Sequence, residues 1–278
     1  MEDHNRQRKA AVVNDFTSFG RCSLAVTLPI LSALKVQCCP VPTAIFTNHT
    51  GFPSYAWTDY TDHMDAYIDE WRKLDLRFNA IATGFLGSTR QIDFVLRFLA
   101  AFRRPDTVVL VDPVMGDYGR LYATYDRTLA ESMRRFLAEA DILTPNLTEA
   151  CVLADRPYDP EIGDAELESL CASLADRATR IVVSGIVRGG HLVNYVYEKG
   201  ATSRIHVYAE KKIGGDRSGT GDVFSSVLLG DVVNGVPFAE SVRRAGRFVS
   251  AAVARTVELG IPPHDGLAIE EVLSELMK

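Results

Sequence analysis

The feature that most constrains this chain is the kind of apolar run it repeats. Ala10–Val13, Val41–Phe46, Ala80–Gly84, Thr107–Val111, Ile142–Thr144 and Ile181–Ser184 are short and nearly continuous in apolar residues. A strand covered on one face alternates apolar and polar side chains, whereas an unbroken run marks a strand buried on both, as in a parallel sheet. Between the runs lie stretches with helical spacing: Ser23–Ala33, Thr61–Leu74, Gln91–Arg103, Arg127–Glu139, Leu147–Ala154 and Ala165–Ala178. This alternation predicts an α/β fold with a doubly wound, mostly parallel central sheet between helical layers.

After Ser184 the pattern changes. His191–Lys211 reads as two strands around a turn at 198–203, an antiparallel hairpin at a sheet edge. A helix is expected to start near Gly219–Asp222, followed by a long helix over Phe238–Leu259 and a short one over Ile269–Leu276. Lacking a linker, repeat or low-complexity segment, residues 1–278 read as one domain, with 1–9 a frayed tail.

The chain is long enough for a sizeable core, and its net charge of −6 comes without a basic block, which argues against nucleic acid as a partner. No apolar run reaches the roughly 18 residues of a membrane span. The polar opening MEDHNRQRKA lacks a signal-peptide stretch. Five cysteines (Cys22, Cys38, Cys39, Cys151, Cys171), odd in number and without C-x-x-C spacing, suit free thiols in the cytoplasm. Neither a disulfide framework nor a zinc site is expected.

The segment IGGDRSGTGDVFSSVLLGDVV (213–233) sets four glycines ahead of Asp222. Glycine permits positive φ and close approach of a ligand to the backbone, and a helix N-terminus presents amides to an anion. A loop with an ordinary N-cap fits this stretch as well as a base beside a phosphate does. The strand ends add weight to the second reading. NDFTSFG, TNHTG, TGFLG, DPVMGD, TPNLTE and SGIVRGG each follow an apolar run, and ligands of such sheets bind outside the carboxyl ends of the strands.

The Walker and dinucleotide glycine motifs are missing. What remains is an acid-rich rim of Asp112, Asp117, Glu149 and Asp222 with Thr144 and Asn146. Carboxylates near an amide anion site suit Mg²⁺ bridging nucleotide phosphates, and Asp222 is positioned in sequence to take the proton of an attacking hydroxyl. Such chemistry requires Asp222 and the neighbouring amides to share a hollow with Asp112 and Glu149.

TNHTG (47–51), DPVMGD (112–117), TPNLTE (144–149) and GTGD (219–222), in this order, resemble the pyridoxal kinase branch of the ribokinase-like superfamily from Ala10 to about Leu259. The resemblance implies ATP as co-substrate and a homodimer. It implies Asp222 as catalytic base on the 5′-hydroxymethyl group of a vitamin B6 compound, with Gly219, Thr220 and Gly221 as the anion hole. Asp112, Asn146 and Glu149 would hold the Mg²⁺–phosphate assembly, Thr144 a monovalent cation such as K⁺, and Ser184 the nucleotide phosphates. Thr50 resembles the residue that bonds the pyridine substituents.

Two positions depart from the family pattern: Asp15 stands where many members have serine, and Phe85 where many have tyrosine. Asp15 facing the ring would pair with a protonated ring nitrogen or with an amine, the latter favouring pyridoxamine. Hydroxymethylpyrimidine kinase is the rival within the superfamily, and a non-catalytic B6-binding protein the rival outside it. His191 and His206 read as structural, His49 as shaping its loop, Cys22 as a buried neutral thiol. Lys211 and Arg217 flank the anion site, as ATP contacts or as solvated loop residues.

Overall fold

Residues 2–122, 125–175, 178–201 and 205–277 are described by a computed structural model, the side chains of Arg127 and Phe136 excepted. In chain order the first elements are β1 (Lys9–Thr17), α1 (Leu24–Ala33), β2 (Gln37–Phe46), β3 (Trp57–Asp59), α2 (Thr61–Lys73), β4 (Ala80–Thr83) and α3 (Thr89–Phe102). There follow β5 (Val108–Val111), β6 (Gly116–Asp117), β7 (Arg120–Leu121), α4 (Arg127–Met133), β8 (Ile142–Leu143), α5 (Leu147–Ala154) and α6 (Asp164–Leu174). The last are β9 (Arg180–Arg188), β10 (His191–Glu198), β11 (Ile205–Lys211), α7 (Thr220–Val233) and α8 (Phe238–Glu258). They fall into two compact units, residues 1–108 with 213–278 and residues 109–212.

In the first unit β1 lies between β4 and β2, parallel to both, and β3 adds an antiparallel edge to β2. The apolar runs do what the absence of alternation predicted: Ala10, Ala11, Val12 and Val13 are all buried, as are Ala80, Ile81 and Ala82. β2 begins earlier than expected and takes in Cys38 and Cys39. The asymmetric helix α3 puts Phe94, Phe98 and Phe102 inward, where Phe98 and Phe102 meet Phe78 and Trp71. Helix α7 is apolar nearly all round and buries Val223, Phe224, Val227, Leu228 and Leu229 against neighbours that include α1 and α8. Near the start of the chain, Asn5 bonds Asp75 O and Arg77 N, and Lys9 Nζ caps the carbonyls of His4 and Gln7.

In the second unit β8 pairs in parallel with β5 and β9, and β10 joins β9 and β11 antiparallel. The predicted hairpin is therefore the end of a three-strand meander, with β9 running on to Arg188; residues 202–204 of its turn lie outside the described residues, as do 176 and 177 of the expected sixth helix. The short hairpin β6–β7 and the edge strand β3 are additions. Two expected helices are corrected. The stretch after Met133 tightens to a 3₁₀ turn at Arg134–Ala138, and 269–276 forms two 3₁₀ segments, Ile269–Glu271 and Leu273–Met277, in place of one α-helix. Among the described residues no helix is long and apolar enough to cross a membrane.

Candidate active site

β1 continues past its apolar run and carries Asn14, Asp15 and Thr17 into buried positions. Buried polar groups need partners, and these have them. The Asn14 carbonyl oxygen accepts from the amides of Asp15 (2.9 Å) and Phe85 (2.7 Å), while its NH₂ group donates to Asp222 Oδ1 (3.3 Å). This carboxamide fits because residue 84 is glycine: a Cβ there would stand 2.5–2.6 Å from Asn14 Cγ, Oδ1 and Nδ2. The Thr17 hydroxyl donates to Asp15 Oδ2 at 2.6 Å.

The chain then turns sharply. Gly20, Arg21 and Ser23 all have positive φ (112°, 45° and 56°), uncommon for the two non-glycine residues. The turn brings the Ser23 amide to the Asp222 carboxylate and the Ser23 hydroxyl to Asp15. Helix α7 starts against the same turn. Its N-cap, Gly219, has φ 80°, and a Cβ on it would lie 2.1 Å from Arg21 O, so the close approach requires glycine. No side chain caps this end. The first-turn amides therefore lack intrahelical partners, which makes the end electropositive beside Asp222.

Asp222 is half-buried. Burial pushes its carboxyl up to about 6; the Asp15 charge adds to this, and the Ser23 amide and Asn14 oppose it. Burial also raises Asp15, against hydrogen bonds from Ser23, Thr17 and its own amide and the nearby His49. Cys22 is a buried thiol pushed up by burial and by the charges of Asp222 and Asp15, in line with the inert thiol expected from sequence.

Segment 47–52 is fastened to the same unit. His49 Nδ1 accepts from Gly51 N (3.1 Å), so Nε2 carries the proton donated to His264 O (2.7 Å). Phe52 packs on His49, His264 and Phe19. Arg21 donates to Asp265 O, and Arg217 to the carbonyls of Ile261 and Pro262. Residues 261–265 thus tie together three loops around Asp222, and Arg217 is a tether in this structure. Thr50 is exposed beside His49; Phe85 is buried edge-on to Phe46, 5.9 Å between centroids.

The second unit gathers the other predicted residues. Asn146 caps α5: its carbonyl oxygen accepts from Glu149 N, Glu149 Oε2 accepts from Asn146 N, and Asn146 Nδ2 donates to Gly116 O. Glu149 Oε1 accepts from Met115 N. Burial lifts Glu149 well above the ordinary carboxylate range, and the charges of Asp112 and Asp117 add to it against the two amides. Ser184 N bonds Pro145 O, so β9 brings its serine beside the α5 cap. The Thr144 hydroxyl oxygen is buried without a hydrogen-bond partner.

Among the described residues, no three His, Cys, Asp or Glu side chains form a closed metal cluster. The donors present suit a water-rich cation: Mg²⁺ takes one or two carboxylates plus waters and phosphates. The charge of Asp112 beside Glu149 and the orphaned Thr144 oxygen fit cations at this place.

The sequence profile of the phosphomethylpyrimidine kinase family matches residues 28–265. The chain belongs to that family. Over 252 residues it is 27% identical to the pyridoxine/pyridoxal/pyridoxamine kinase of Bordetella pertussis, covering 87% of each protein. It is 30% identical to the pyridoxal kinase of Arabidopsis thaliana over 199 residues, 69% of this chain but 63% of that kinase. A crystal structure of a Bacteroides thetaiotaomicron protein assigned as a phosphomethylpyrimidine kinase, determined with pyridoxal, superposes with a TM-score of 0.94 at 36% identity, covering 98% of this chain and 96% of that one.

In this member of the phosphomethylpyrimidine kinase family, the first unit sets Asp15 near enough for its charge to act on Asp222, with Gly219–Gly221 at the start of the same helix. The second joins Asp112, Thr144, Asn146, Glu149 and Ser184. Sequence reasoning missed Asn14, Ser23 and His264. Asn14 had a visible signal, a polar residue ending an apolar strand; Ser23 acts through its amide and His264 through its carbonyl, which residue type does not disclose.

Proposed function

We propose that this chain is a single kinase domain that transfers the γ-phosphoryl group of ATP to the 5′-hydroxymethyl oxygen of a vitamin B6 compound. The observation that carries the reading is the Asp222 carboxylate, held by Asn14 and Ser23 in the first turn of an uncapped, glycine-started helix. A carboxylate titrating near 6 is ionised at neutral pH yet basic enough to share a proton. The hydroxyl oxygen attacks the γ-phosphorus as its proton passes to Asp222, the bond to the bridging oxygen of ADP breaks, and the amides of Gly219–Gly221 face the charge on the moving group. Asp112 and Glu149 would hold Mg²⁺, largely through water, with Asn146 and Ser184 near the phosphates and Thr144 at a monovalent cation such as K⁺. Bound there, Mg²⁺ supplies charge neutralisation on the phosphates.

Thr50 and Phe85 would bind the pyridine. Asp15, a buried carboxylate beside the base, would be offset by a cationic amine, which favours pyridoxamine. The Bordetella and Arabidopsis relatives and the pyridoxal-bound neighbour support the B6 class. The family profile favours a second reading, hydroxymethylpyrimidine as acceptor.

ADP release measured with pyridoxal, pyridoxamine, pyridoxine and hydroxymethylpyrimidine decides between them. Turnover of the pyrimidine alone defeats the B6 reading, and equal kcat/KM for the three vitamers in both the parent and Asp15→Ser defeats the role of Asp15. If the parent binds vitamers without turnover, the chain is a binding protein. The same reading carries a cytoplasmic homodimer, which light scattering and cell fractionation test.

A further inference from the structure

We infer that Asn14 is a positioning residue for phosphoryl transfer: its carboxamide orients Asp222 as proton acceptor and ties that orientation to the backbone of Asp15 and Phe85. The inference rests on Asp222 being the base. The direction of the amide is settled by its partners. Two backbone N–H groups converge on one end, at 2.7 and 2.9 Å, and only an oxygen can accept from both. The NH₂ end is then the one that meets Asp222 Oδ1; the reversed amide would set an oxygen against a carboxylate and donors against donors. The absent Cβ of Gly84 leaves room for this one placement. At 3.3 Å the bond to Asp222 is long, as such bonds often are before substrate tightens them.

Among the described residues, the groups that act on the Asp222 carboxylate come from two elements besides its own helix. From β1 come Asn14 and the Asp15 carboxylate; from the 20–23 turn come the Ser23 amide and the Cys22 thiol. The Arg21 guanidinium turns to Glu270 and Asp265 O instead. On its own helix, Ser225 donates to the Asp222 carbonyl, not the carboxylate. Asp15 disfavours the ionised base, so Asn14 is the side chain that favours it. The Phe85 amide on the same oxygen links the base to a residue proposed to bind the pyridine, so a change in one reaches the other through a single rigid group.

Asn14→Asp keeps an oxygen for the two amides and removes the donor to Asp222. The expected result is a folded protein with kcat lowered about tenfold or more and the acid limb of kcat moved up by about one pH unit, while KM for ATP stays within about twofold. The Asp222 carboxyl carbon-13 signal, assigned by its loss in Asp222→Asn, should titrate higher by the same amount. Gly84→Ala, which pushes the amide without changing its chemistry, should move the signal in the same direction. A folded Asn14→Asp protein whose Asp222 signal titrates as in the parent overturns the inference, whether kcat is unchanged or reduced. The signal needs no turnover, so a chain that phosphorylates no B6 compound sinks the parent reading while leaving the coupling of residues 14 and 222 separately judged.

Discussion

Two glycines of the GTGD turn make an informative pair, because their surroundings differ. Gly219 has φ 80°, and an added Cβ would lie 2.1 Å from Arg21 O and 3.2 Å from Cys22 Cα. Alanine there incurs the left-handed penalty of about 1–2 kcal/mol, and the clash is with backbone, which no rotamer change relieves. With about 1–3 kcal/mol for forcing the 20–23 turn aside, Gly219→Ala should lose roughly 2–5 kcal/mol. For a chain of this size that is a fall in Tm of roughly 3–9 °C. At Gly221 a Cβ meets nothing within 4 Å and φ is ordinary. Alanine in a helical first turn should leave stability unchanged or raise it by about 0.5–1 kcal/mol. Yet if this face receives the phosphoryl group, a methyl there holds it off the amides, and kcat/KM should drop by about 10²-fold, the scale of one lost anion-hole donor. Thermal unfolding and ADP release on both variants test this. Gly219→Ala melting with the parent would refute the close packing of the two turns, and Gly221→Ala turning over like the parent would refute the assignment of this face to the phosphoryl group.

Asp222→Asn should lower kcat by about 10²–10⁴-fold with vitamer binding retained in calorimetry, and in the parent kcat should fall as pH drops through about 6. The same raised carboxyl contributes stability that is present below its ordinary 3.8 and lost as pH rises through about 6, so Asp222→Asn should melt higher than the parent at pH 8, with the gain shrinking below pH 6. Arg244→Leu removes the partner 2.7 Å from the fully buried Asp231 and a bond to Leu276 O, and should cost about 3–5 kcal/mol in chemical unfolding. His49→Ala cuts the tie between segment 47–52 and His264 O, so KM for the vitamer should rise several-fold with little change in Tm.

The strands were legible because burial on both faces leaves its mark on residue type: Val12, Ile81 and Val182 sit in unbroken apolar runs and are buried in the structure. Helix α7 was legible from its apolar spacing and glycine start. The 269–276 stretch misled because its spacing is shared by α- and 3₁₀ turns over so short a length. Edge strand β3 and hairpin β6–β7 are too short for any periodicity to register.

For the site, residue types alone singled out Asp222, Gly219, Asp112 and Glu149, because carboxylates and glycines at strand and helix ends advertise anion and cation chemistry. Tertiary structure decided what those residues experience. Asp222 and Asp15 lie 207 positions apart in the chain, and only folding sets one beside the other and lifts the first to about 6. Arg217, a candidate ATP contact by sequence, donates from one guanidinium nitrogen to the 261–262 carbonyls; Asn14 carries a polar signal at the end of an apolar run, but its role depends on the direction that the amides of Asp15 and Phe85 impose. Pattern records what a side chain is and how often its kind recurs. Burial, charge proximity and hydrogen-bond direction depend on neighbours distant in sequence, and so belong to the fold.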